Sequence, residues 1–586
     1  CSLHWGTVPY FGGTWSNTTD TPMTFNTQVG NNDEYKGTIT PGVGLYEFTA
    51  FCTDTTDSTT MYQSAGNGKL VVDTASGACN AAAQGNNEVY YNGLLHDSFS
   101  TAYRNPTGPV TTSQTVTLKF RTCMDDLNAT PSIRLWNDRT DAETIASLTF
   151  DSHGSDATLG GVTNWKYDLA VGASPTIHYY VFKATDGTAA AFYRDDDPKF
   201  YGGGYGVGEA NQTAAYNNSY QVTVYDPAFA VPEWMQRGIV YQIFPDRFRD
   251  GNSGNNPPAG RFSYNTPGGS IVRSNQANWN YTLCDPRNTY TPSCDSKYGD
   301  NFYGGDLAGI TQKINEGYFD TLGVTVLYLN PIFRAPSNHK YDTADYMVID
   351  PDFGTRADFP SLASAANAHG IKIILDGVFN HTSSDSKYFD RYSRYDAAGN
   401  LTSPGGPGAD DNSGACEAAA SSFYSWFYFP DTGNPGKDGT TVVYCNNDSP
   451  QSYEAWYGYS SLPKLQANIT AVRNLIWANG LNSVGPYWTQ QGAWGWRFDV
   501  GADVDCGLTC APSNDYWEGF RAAVRDSGVT GKSDVITLGE EWGDASGWLL
   551  GSEWDSVMNY RFRSAVMSWL FTGCSGNGCT GGTSFD

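Results

Sequence analysis

Two acidic residues near the end of the chain each follow a short apolar run. Asp499 lies in G-W-R-F-D-V (495–500), with Arg497 two residues before it, and Glu540 lies in L-G-E-E-W (538–542). Polar side chains at the carboxyl ends of neighbouring parallel strands meet at one edge of a sheet or barrel. Cleavage of a glycosidic bond uses such a pair, because one carboxylate acts at the anomeric carbon while the other protonates the leaving oxygen. The spacing therefore predicts a site for glycosidic bond cleavage.

Two further segments place polar groups after apolar runs. S-N-H-K-Y-D-T-A-D-Y (337–346) follows the second run, and D-G-V-F-N-H (376–381) ends the third. A single aspartate or histidine at a strand end often only caps the next helix. Four such segments in this order indicate an active site at the carboxyl ends of barrel strands.

Composition limits the class of ligand. The 586 residues carry a formal net charge of −26 at pH 7, which argues against nucleic acid and anionic membranes as partners. Aromatic residues make up 14% of the chain, and ring faces suit the apolar faces of sugars, although many such rings simply fill sheet cores. There is no run of about 20 apolar residues, so no membrane span is predicted.

The cysteines indicate an oxidising compartment. There are twelve of them, none in a C-x-x-C pattern and none beside a histidine cluster, so disulfides are predicted in preference to metal sites. Three pairs lie close together in sequence: Cys284 and Cys294, Cys506 and Cys510, Cys574 and Cys579. The expected location is extracellular, either secreted or associated with the cell surface.

Strand patterns fill the first part of the chain. Short alternating segments such as 115–120, 132–136 and 177–183, separated by Gly, Asn and Asp clusters, predict two N-terminal β-sandwich domains. We place the first at residues 1–110, with an unknown role, and the second at residues 111–228. An extended, proline-containing link (225–234) marks the end of this region.

From residue 229 to residue 586, apolar runs alternate with helical patterns, an order that predicts a (β/α)8 TIM barrel. The runs are 238–244, 324–329, 371–375, 494–498, 535–538 and one around Val557. A helix is predicted over 358–369, with Gly370 as its stop. Residues 382–462 are predicted to form an inserted lobe. With about six strands present, the barrel is expected to be truncated at its C-terminal side.

Together these motifs resemble the alpha-amylase family of retaining glycoside hydrolases, in its neopullulanase, cyclomaltodextrinase and amylopullulanase branch. The resemblance covers about residues 232–586 and includes V-Y-Q-I-F-P-D-R-F (240–248), Y-G-G-D-L (303–307) and L-P-K-L (462–465). Residues 111–228 resemble, through much weaker motifs, the starch-associated N-terminal module of that branch.

The resemblance implies that Asp499 is the nucleophile and Glu540 the general acid/base. Glu541 is a rival acid, but the family's G-E-x-W pattern selects the first glutamate. Asp499 must stay ionised, and Arg497 on the same strand face can supply the stabilising charge. Glu540 must be protonated when substrate binds, so a less polar environment against Trp542 is expected to raise its pKa.

The resemblance also implies a set of substrate-binding residues. These are His339, Tyr341, Asp376, His381, Arg497 and Trp542. The tyrosine of the set is expected to stack on the sugar at the cleavage point, and the two histidines are expected to hydrogen-bond to that sugar. The aspartate matches a structural position that organises the site. The tryptophan matches a platform for the acceptor-side glucose in the neopullulanase-like branch.

A calcium site is implied as well. The segment R-D-G-N-S-G-N-N (249–256) offers closely spaced oxygen atoms, which hard cations prefer. The family's ligands match Asp250, Asn252, Asn255, Asn256, Gly304 and Asp306. Amides replace the carboxylates usual at two of these positions, and an Asx-rich turn without metal is the alternative.

The implied function is retaining, endo-acting hydrolysis of α-1,4 glucosidic bonds in starch- and pullulan-type α-glucans, the expected partners. The use of α-1,6 bonds and the balance with transglycosylation stay open. Family members carry a third essential aspartate in an N/S-H-D segment, and none follows Glu540. The missing C-terminal part of the same protein is expected to complete the site, so this fragment alone is expected to be inactive. The alternative is a noncatalytic glucan-binding or surface-layer protein with a degenerate barrel.

Overall fold

The chain forms two compact units, one within Cys1–Pro227 and the other within Ala228–Gly581. The division falls in the proline-containing link that the sequence places near residue 228. The computed structural model describes residues 1–73, 77–196, 203–258, 271–272, 279, 301–403, 407–429, 443–445, 452–505 and 515–570.

The first unit is rich in sheet. Its described strands are β1 (Ser2–Thr7), β2 (Ser16–Pro22), β3 (Thr24–Val29), β4 (Asn32–Lys36), β5 (Gly44–Thr53), β6 (Thr60–Tyr62), β7 (Gly68–Val72), β8 (Arg104–Asn105), β9 (Val110–Thr111), β10 (Thr115–Cys123), β11 (Ser132–Asn137), β12 (Ala142–Ser147), β13 (Thr149–Asp156), β14 (Gly160–Ala170), β15 (Thr176–Asp186), β16 (Ala189–Asp195), β17 (Gly206–Glu209) and β18 (Tyr220–Tyr225). Helix α1 (Gln212–Asn217) precedes the last of them.

Two sheets of this unit share one hydrophobic core. Their strand orders are β13-β14-β10-β8 and β12-β11-β15-β16-β17, with β18 pairing to β15 and β9. Along β10, buried residues alternate with more exposed ones, as the sequence T-V-T-L-K-F predicts. Phe120 of β10 stacks on Phe182 of β15, with ring centroids 4.8 Å apart. The strands predicted over 115–120, 132–136 and 177–183 are all confirmed.

This core also takes residues from before position 110. Val89 and Leu94 are buried in it, and β8, which ends at Asn105, pairs with β10. The sequence boundary at 110 therefore lies later than the start of this sheet pair in the structure. The reason is that residues 77–110 are mostly irregular and carry no strand periodicity that could assign them. Upstream of them lie a five-stranded sheet, β2-β1-β5-β6 with β7 on β5, and the hairpin β3–β4.

The second unit alternates strands and helices. Its described elements are α2 (Glu233–Gln236), β19 (Val240–Ile243), β20 (Ile271–Val272), β21 (Asn301–Phe302), α3 (Leu307–Asn315), α4 (Tyr318–Leu322), β22 (Val326–Leu329), β23 (Phe333–Arg334), β24 (Asp345–Ile349), α5 (Asp358–Ala368), β25 (Lys372–Gly377), β26 (Val443–Tyr444), β27 (Ser452–Tyr453), α6 (Thr470–Ile476), α7 (Val484–Gln491), β28 (Gly495–Phe498), α8 (Tyr516–Arg525), α9 (Ser527–Thr530), β29 (Ile536–Gly539), β30 (Ser556–Val557) and α10 (Tyr560–Leu570).

Six of these strands form one parallel sheet in the order β19-β22-β25-β28-β29-β30. They correspond to the six predicted apolar runs, so the half-barrel is confirmed for the described residues. Every residue of β22, β28 and β29 is buried, as expected for parallel strands covered on both faces. Val240 is 41% exposed because β19 is the end strand of the described sheet. Helix α5 ends before Gly370, whose φ of +71° suits the predicted stop.

The cysteine predictions fall partly outside the described residues. Within them, three pairs lie at bonding distance: Cys1 and Cys52, Cys79 and Cys123, Cys416 and Cys445. The three pairs that are close in sequence, at 284 and 294, 506 and 510, and 574 and 579, lie outside the described residues. Among the helices that the structure describes, none has the length and apolar character needed to cross a membrane.

Candidate active site

The register of the parallel sheet brings the predicted carboxylates together. Asp376 of β25 lies opposite Arg497 of β28. The last paired residues of β28 and β29 are followed at once by Asp499 on one strand and Glu540 on the other. The three acidic side chains therefore leave adjacent strands at the same edge of the sheet, where parallel barrels build their sites.

Arg497 contacts all three carboxylates. Its Nη1 lies 3.0 Å from Oδ1 of Asp376 and 2.8 Å from Oδ1 of Asp499, and its Nη2 lies 2.7 Å from Oε2 of Glu540. The arginine side chain is only 4% exposed. Burial of a charge is tolerated when the charge has oppositely charged partners and its hydrogen-bonding groups are satisfied. The two proposed catalytic carboxylates are thus held within reach of one planar guanidinium.

Asp376 is fixed by hydroxyl groups as well as by the arginine. The phenol of Tyr328 donates a hydrogen bond of 2.5 Å to its Oδ2, and the phenol of Tyr341 donates one of 3.0 Å to the same atom. The side chain of Asn330 donates to the Tyr341 oxygen at 3.1 Å. Burial raises the pKa of Asp376, while Arg497 and the two hydroxyls oppose that rise. These contacts fix the position of the Asp376 carboxylate, and its organising role stays a prediction.

Glu540 receives four donors. Besides Arg497, the backbone N–H of Val500 donates to Oε2 at 2.9 Å, and the Tyr560 hydroxyl donates to Oε1 at 2.9 Å. The indole N–H of Trp542 donates to Oε1 at 3.2 Å. Val500, the residue after Asp499, adopts a left-handed conformation with φ of +41°. This local turn aims its N–H at the glutamate.

The pKa order expected from the sequence is reversed in this ligand-free site. Burial raises the pKa of Asp499 to about 7; Arg497 opposes the rise, and the neighbouring carboxylates add to it. Burial would also raise the pKa of Glu540, but Arg497, the Val500 N–H and the side chains of Trp542 and Tyr560 bring it below its ordinary value. The expectation failed because Arg497 and the Val500 N–H stabilise the ionised glutamate, and because Trp542 turns an N–H toward it and not a nonpolar face.

An open cleft of about 740 Å³ lies over these groups. Its walls include Asp499, Glu540, His339, Tyr341 and His381, so the structure brings these predicted site residues together. His339 and Tyr341 are joined locally, because the Tyr341 backbone N–H donates to Nδ1 of the histidine at 3.1 Å. The volume, together with a lining of aromatic and polar side chains, suits a ligand as large as an oligosaccharide.

His381 is buried and neutral. Burial lowers its pKa to about 4, and its Nε2 has no hydrogen-bond partner among the described residues. Its ring stacks on Trp456, with centroids 6.0 Å apart and planes at 29°. That nitrogen is itself buried in the wall of the cleft. Its hydrogen bond to a sugar hydroxyl stays a prediction.

A second, smaller pocket of about 200 Å³ lies beyond Glu540. Trp456, Tyr457 and Trp542 contribute to its lining. Trp542 is 54% exposed and stands next to the glutamate that would protonate the leaving oxygen. Its ring is exposed beside the glutamate, and its role as an acceptor platform stays a prediction.

The predicted calcium ligands also come together. Both oxygens of Asp306 accept backbone N–H groups, with Oδ1 bonded to Gly251 and Gly309 and Oδ2 bonded to Asn252, so this residue caps α3. The amide of Asn256 donates to Asp250 at 2.8 Å.

The surroundings of the Asn255 and Asn256 amide oxygens test whether these residues suit a metal ion. Both are buried and lack a hydrogen-bond partner among the described residues. Gly304, at φ of +80°, lies against Asn256, since a Cβ atom there would stand 2.4 Å from its Oδ1. Unpaired buried oxygens are costly unless a cation or donor binds them. The residues therefore fit a hard cation, with Asp306 already engaged by the backbone.

Another acidic cluster has a different explanation. Asp505, Glu518 and Glu553 place carboxylate oxygens within 4.8 Å of one another. Burial raises the pKa of Glu518, and the neighbouring carboxylate of Asp505 adds to the rise. A raised pKa favours a protonated Glu518, which lets these carboxyl groups approach one another without a metal.

The family profile described as "Alpha amylase, catalytic domain" matches residues 242–572, more than half of the chain. The chain belongs to the alpha-amylase family. The matched range includes all three carboxylates around Arg497. It also includes every described strand of the half-barrel in full, apart from the first two residues of β19.

Relatives within the alpha-amylase family are similar over different lengths. An amylopullulanase of Thermoanaerobacterium thermosulfurigenes is 38% identical over 498 residues, covering 83% of this chain and 24% of that protein. Neopullulanase 2 of Thermoactinomyces vulgaris is 34% identical over 346 residues, covering 59% of this chain and 46% of that protein. A solved type III pullulan hydrolase of Thermococcus kodakarensis is 23% identical, with a TM-score of 0.42. The match covers 80% of this chain and 64% of that protein. The chain spans between 24% and 34% of the length of the amylopullulanases it matches.

Sequence reasoning within this family missed three residues of the site. Tyr328 lies one residue before the end of β22, so the rule that identified polar strand ends could have found it. Tyr560 begins α10 just after β30, and the same rule applied to the run around Val557 would have included it. Trp456 comes from the inserted lobe, and no local pattern indicates that it reaches the cleft.

Asp499→Asn is expected to change how stability depends on pH. Because the folded-state pKa is raised to about 7, the folded protein keeps a proton from roughly pH 4 to 7 that the unfolded chain releases. The wild type therefore loses stability as pH rises through this window, and the neutral asparagine removes that loss. Urea unfolding at several pH values across this window measures the free energy of unfolding. Asp534→Asn, at an exposed position, is the control. If the free energy of unfolding of wild type and of Asp499→Asn depended on pH in the same way, the raised pKa of Asp499 would be contradicted.

Tyr560→Phe is expected to raise the pKa of Glu540, because a donor to the ionised carboxylate is lost. The alkaline limb of kcat, which reports the substrate complex in which the acid must carry the proton, should move to higher pH by less than about one unit, and kcat itself should fall less than about tenfold. Tyr328→Phe is the matched control, since its hydroxyl serves Asp376. Full pH–rate profiles of the full-length protein provide the measurement, and an unmoved limb in Tyr560→Phe would refute the role.

Proposed function

We propose that the protein hydrolyses α-1,4 and α-1,6 glucosidic bonds of starch- and pullulan-type α-glucans with retention of configuration. The observation that carries this proposal is the Arg497 guanidinium, which holds Asp376, Asp499 and Glu540 at the floor of one cleft. Membership of the alpha-amylase family and similarity to enzymes named amylopullulanase and neopullulanase support the bond types.

In this proposal Asp499 attacks the anomeric carbon and Glu540 protonates the leaving oxygen. That division of labour needs one proton on the pair. In the ligand-free site, the raised pKa of Asp499 and the lowered pKa of Glu540 put this proton on the aspartate near neutral pH. Substrate binding must therefore move it to the glutamate. A sugar that shields Glu540 from its donors would raise the pKa of the glutamate and favour the productive state.

The surrounding side chains position the sugar. His381 offers its unpaired Nε2 to a hydroxyl, and Tyr341 presents its ring beside the arginine, 5.8 Å from the guanidinium carbon. His339 lies in the same wall, and Trp542 supports the acceptor side. The acceptor platform also leaves transglycosylation open to the same site, because a second sugar held there competes with water.

The domain organisation and the location of the protein are part of the same proposal. The six described parallel strands would belong to a (β/α)8 barrel, and the two packed sheets of the first unit would form a starch-associated module. Three cysteine pairs at bonding distance support an extracellular location. A noncatalytic surface-layer protein is not favoured, because decay would not preserve a fully paired carboxylate cluster under an open cleft.

The catalytic roles are tested by Asp499→Asn and Glu540→Gln in the full-length protein, with Glu541→Gln as the matched control. Each of the first two should lower kcat/KM on starch and pullulan by about a thousandfold or more, while the control stays near wild type. Proton NMR of the first product should show the α-anomer. Panose from pullulan would indicate α-1,4 attack and maltotriose α-1,6 attack. Full activity in Asp499→Asn or Glu540→Gln would refute the assignment.

A calcium ion held by Asp250, Asn255, Asn256 and the loop around Gly304 is also proposed, and it would stabilise the loop that precedes α3. Chelation should lower the melting temperature of the catalytic unit, and added calcium should restore it, because binding to the folded state alone adds stability. Asn256→Ala should lose this response, whereas Asn92→Ala in the first unit should keep it. A melting temperature unaffected by chelation in the wild type would refute the site.

A further inference from the structure

A fully buried lysine lies behind one wall of the catalytic cleft. The Lys340 side chain is 0% exposed, whereas its neighbours in sequence, His339 and Tyr341, line the cleft. Lysine is rarely enclosed without a paired charge, because its ammonium group is strongly hydrated in water. The position of this enclosed charge, between two residues of the cleft wall, points to a role in holding them.

The ammonium group has three acceptors, one for each of its N–H donors. Its Nζ lies 2.9 Å from Oδ2 of Asp350 and 3.0 Å from Oδ2 of Asp352, and it donates to the Ala335 carbonyl at 3.2 Å. Asp350 also accepts the backbone N–H of Ala335 at 2.8 Å. A buried ion cluster of this kind resists displacement, since movement leaves a charge unpaired. Lys340 therefore ties the cleft segment to the turn that follows β24.

The backbone at Lys340 is left-handed, with φ of +62°. This conformation costs free energy for a residue that has a Cβ atom, so the surrounding contacts must hold it. The Ser337 hydroxyl accepts the Lys340 backbone N–H at 3.2 Å. At the same turn, the backbone N–H of Tyr341 donates to Nδ1 of His339 at 3.1 Å. The turn that the buried lysine holds is therefore the turn that orients the imidazole.

The same turn sets where the Tyr341 ring begins. At its far end, the phenol donates to Asp376 at 3.0 Å and accepts from Asn330 at 3.1 Å. Movement of the Lys340 backbone would carry both neighbouring rings with it, because they are bonded to it through single peptide units. A displacement of about 1 Å in a group that orients a substrate can slow the reaction by on the order of a hundredfold.

From these contacts we infer that Lys340 is a positioning residue for the sugar at the cleavage point. Its buried ion pairs fix the turn from which His339 and Tyr341 enter the cleft. The lysine acts through these two rings, since its own side chain is fully enclosed and does not line the cleft. The inference rests on the proposed function for the identity of the sugar.

Lys340→Met in the full-length protein removes the ammonium group and keeps most of the side-chain length. On maltotetraose, kcat/KM should fall by about tenfold or more, with KM raised about threefold. A smaller folded fraction would lower kcat alone, so the rise in KM separates positioning from loss of folded protein. Lys313→Met is the matched control. It removes another ion-paired lysine, 11% exposed and 2.7 Å from Glu316, and should keep the wild-type kcat and KM.

A double-mutant cycle tests whether the lysine acts through the two rings. In protein that already carries His339→Ala and Tyr341→Ala, Lys340→Met should lower kcat/KM by less than about twofold more, because the groups that it positions are gone. A loss of the same size in both backgrounds would overturn the inference, since Lys340 would then act independently of the rings.

Thermal unfolding shows whether Lys340→Met folds. If the unpaired aspartates prevent folding, Lys340→Met combined with Asp350→Asn and Asp352→Asn removes the unpaired charges and carries the same test. Wild-type kcat and KM in either folded variant would also overturn the inference. Failure of the proposed function is distinguishable, because it would appear as wild-type protein inactive on maltotetraose or as full activity in Asp499→Asn.

Discussion

One buried guanidinium constrains the catalytic unit. Arg497 is almost fully enclosed and binds Asp376, Asp499 and Glu540, each from a different parallel strand. Any one of these charges would be expensive to bury alone, by several kcal/mol. The cluster is therefore tolerable only if all partners meet within hydrogen-bond distance. A shift of one residue in register would send a side chain to the other face of the sheet, so the strand pairing and the ion cluster depend on each other.

The unequal distribution of donors within this cluster decides where a proton resides. Among the described residues, Asp499 receives a hydrogen bond from Arg497 alone, whereas Glu540 receives the same guanidinium together with Val500, Trp542 and Tyr560. Donors stabilise the ionised form, and burial without donors favours the neutral one. The ligand-free site therefore stores its proton on the aspartate, one step away from the arrangement that bond cleavage would use. Substrate contacts would have to redistribute the donors.

Much of the second unit could be predicted from sequence because its signals are local. A parallel strand covered on both faces must be an apolar run, and the runs at 324–329, 371–375 and 494–498 became buried strands. The helix over 358–369 and its glycine stop followed from periodicity in the same way. The first unit was harder. Residues 77–110 join the second sheet pair through irregular backbone, and irregular backbone has no period that assigns it to a core.

The sequence by itself determined which residue types stand at the strand ends, and hence Asp499, Glu540 and Arg497, because position after an apolar run fixes the edge at which a side chain emerges. Only the tertiary structure decided what those side chains touch. The indole N–H of Trp542 and the hydroxyl of Tyr560 reach Glu540 from segments whose direction no periodicity encodes. A sequence pattern specifies the face of an element. A hydrogen bond also needs the distance and angle between two elements, and packing of the whole unit sets both.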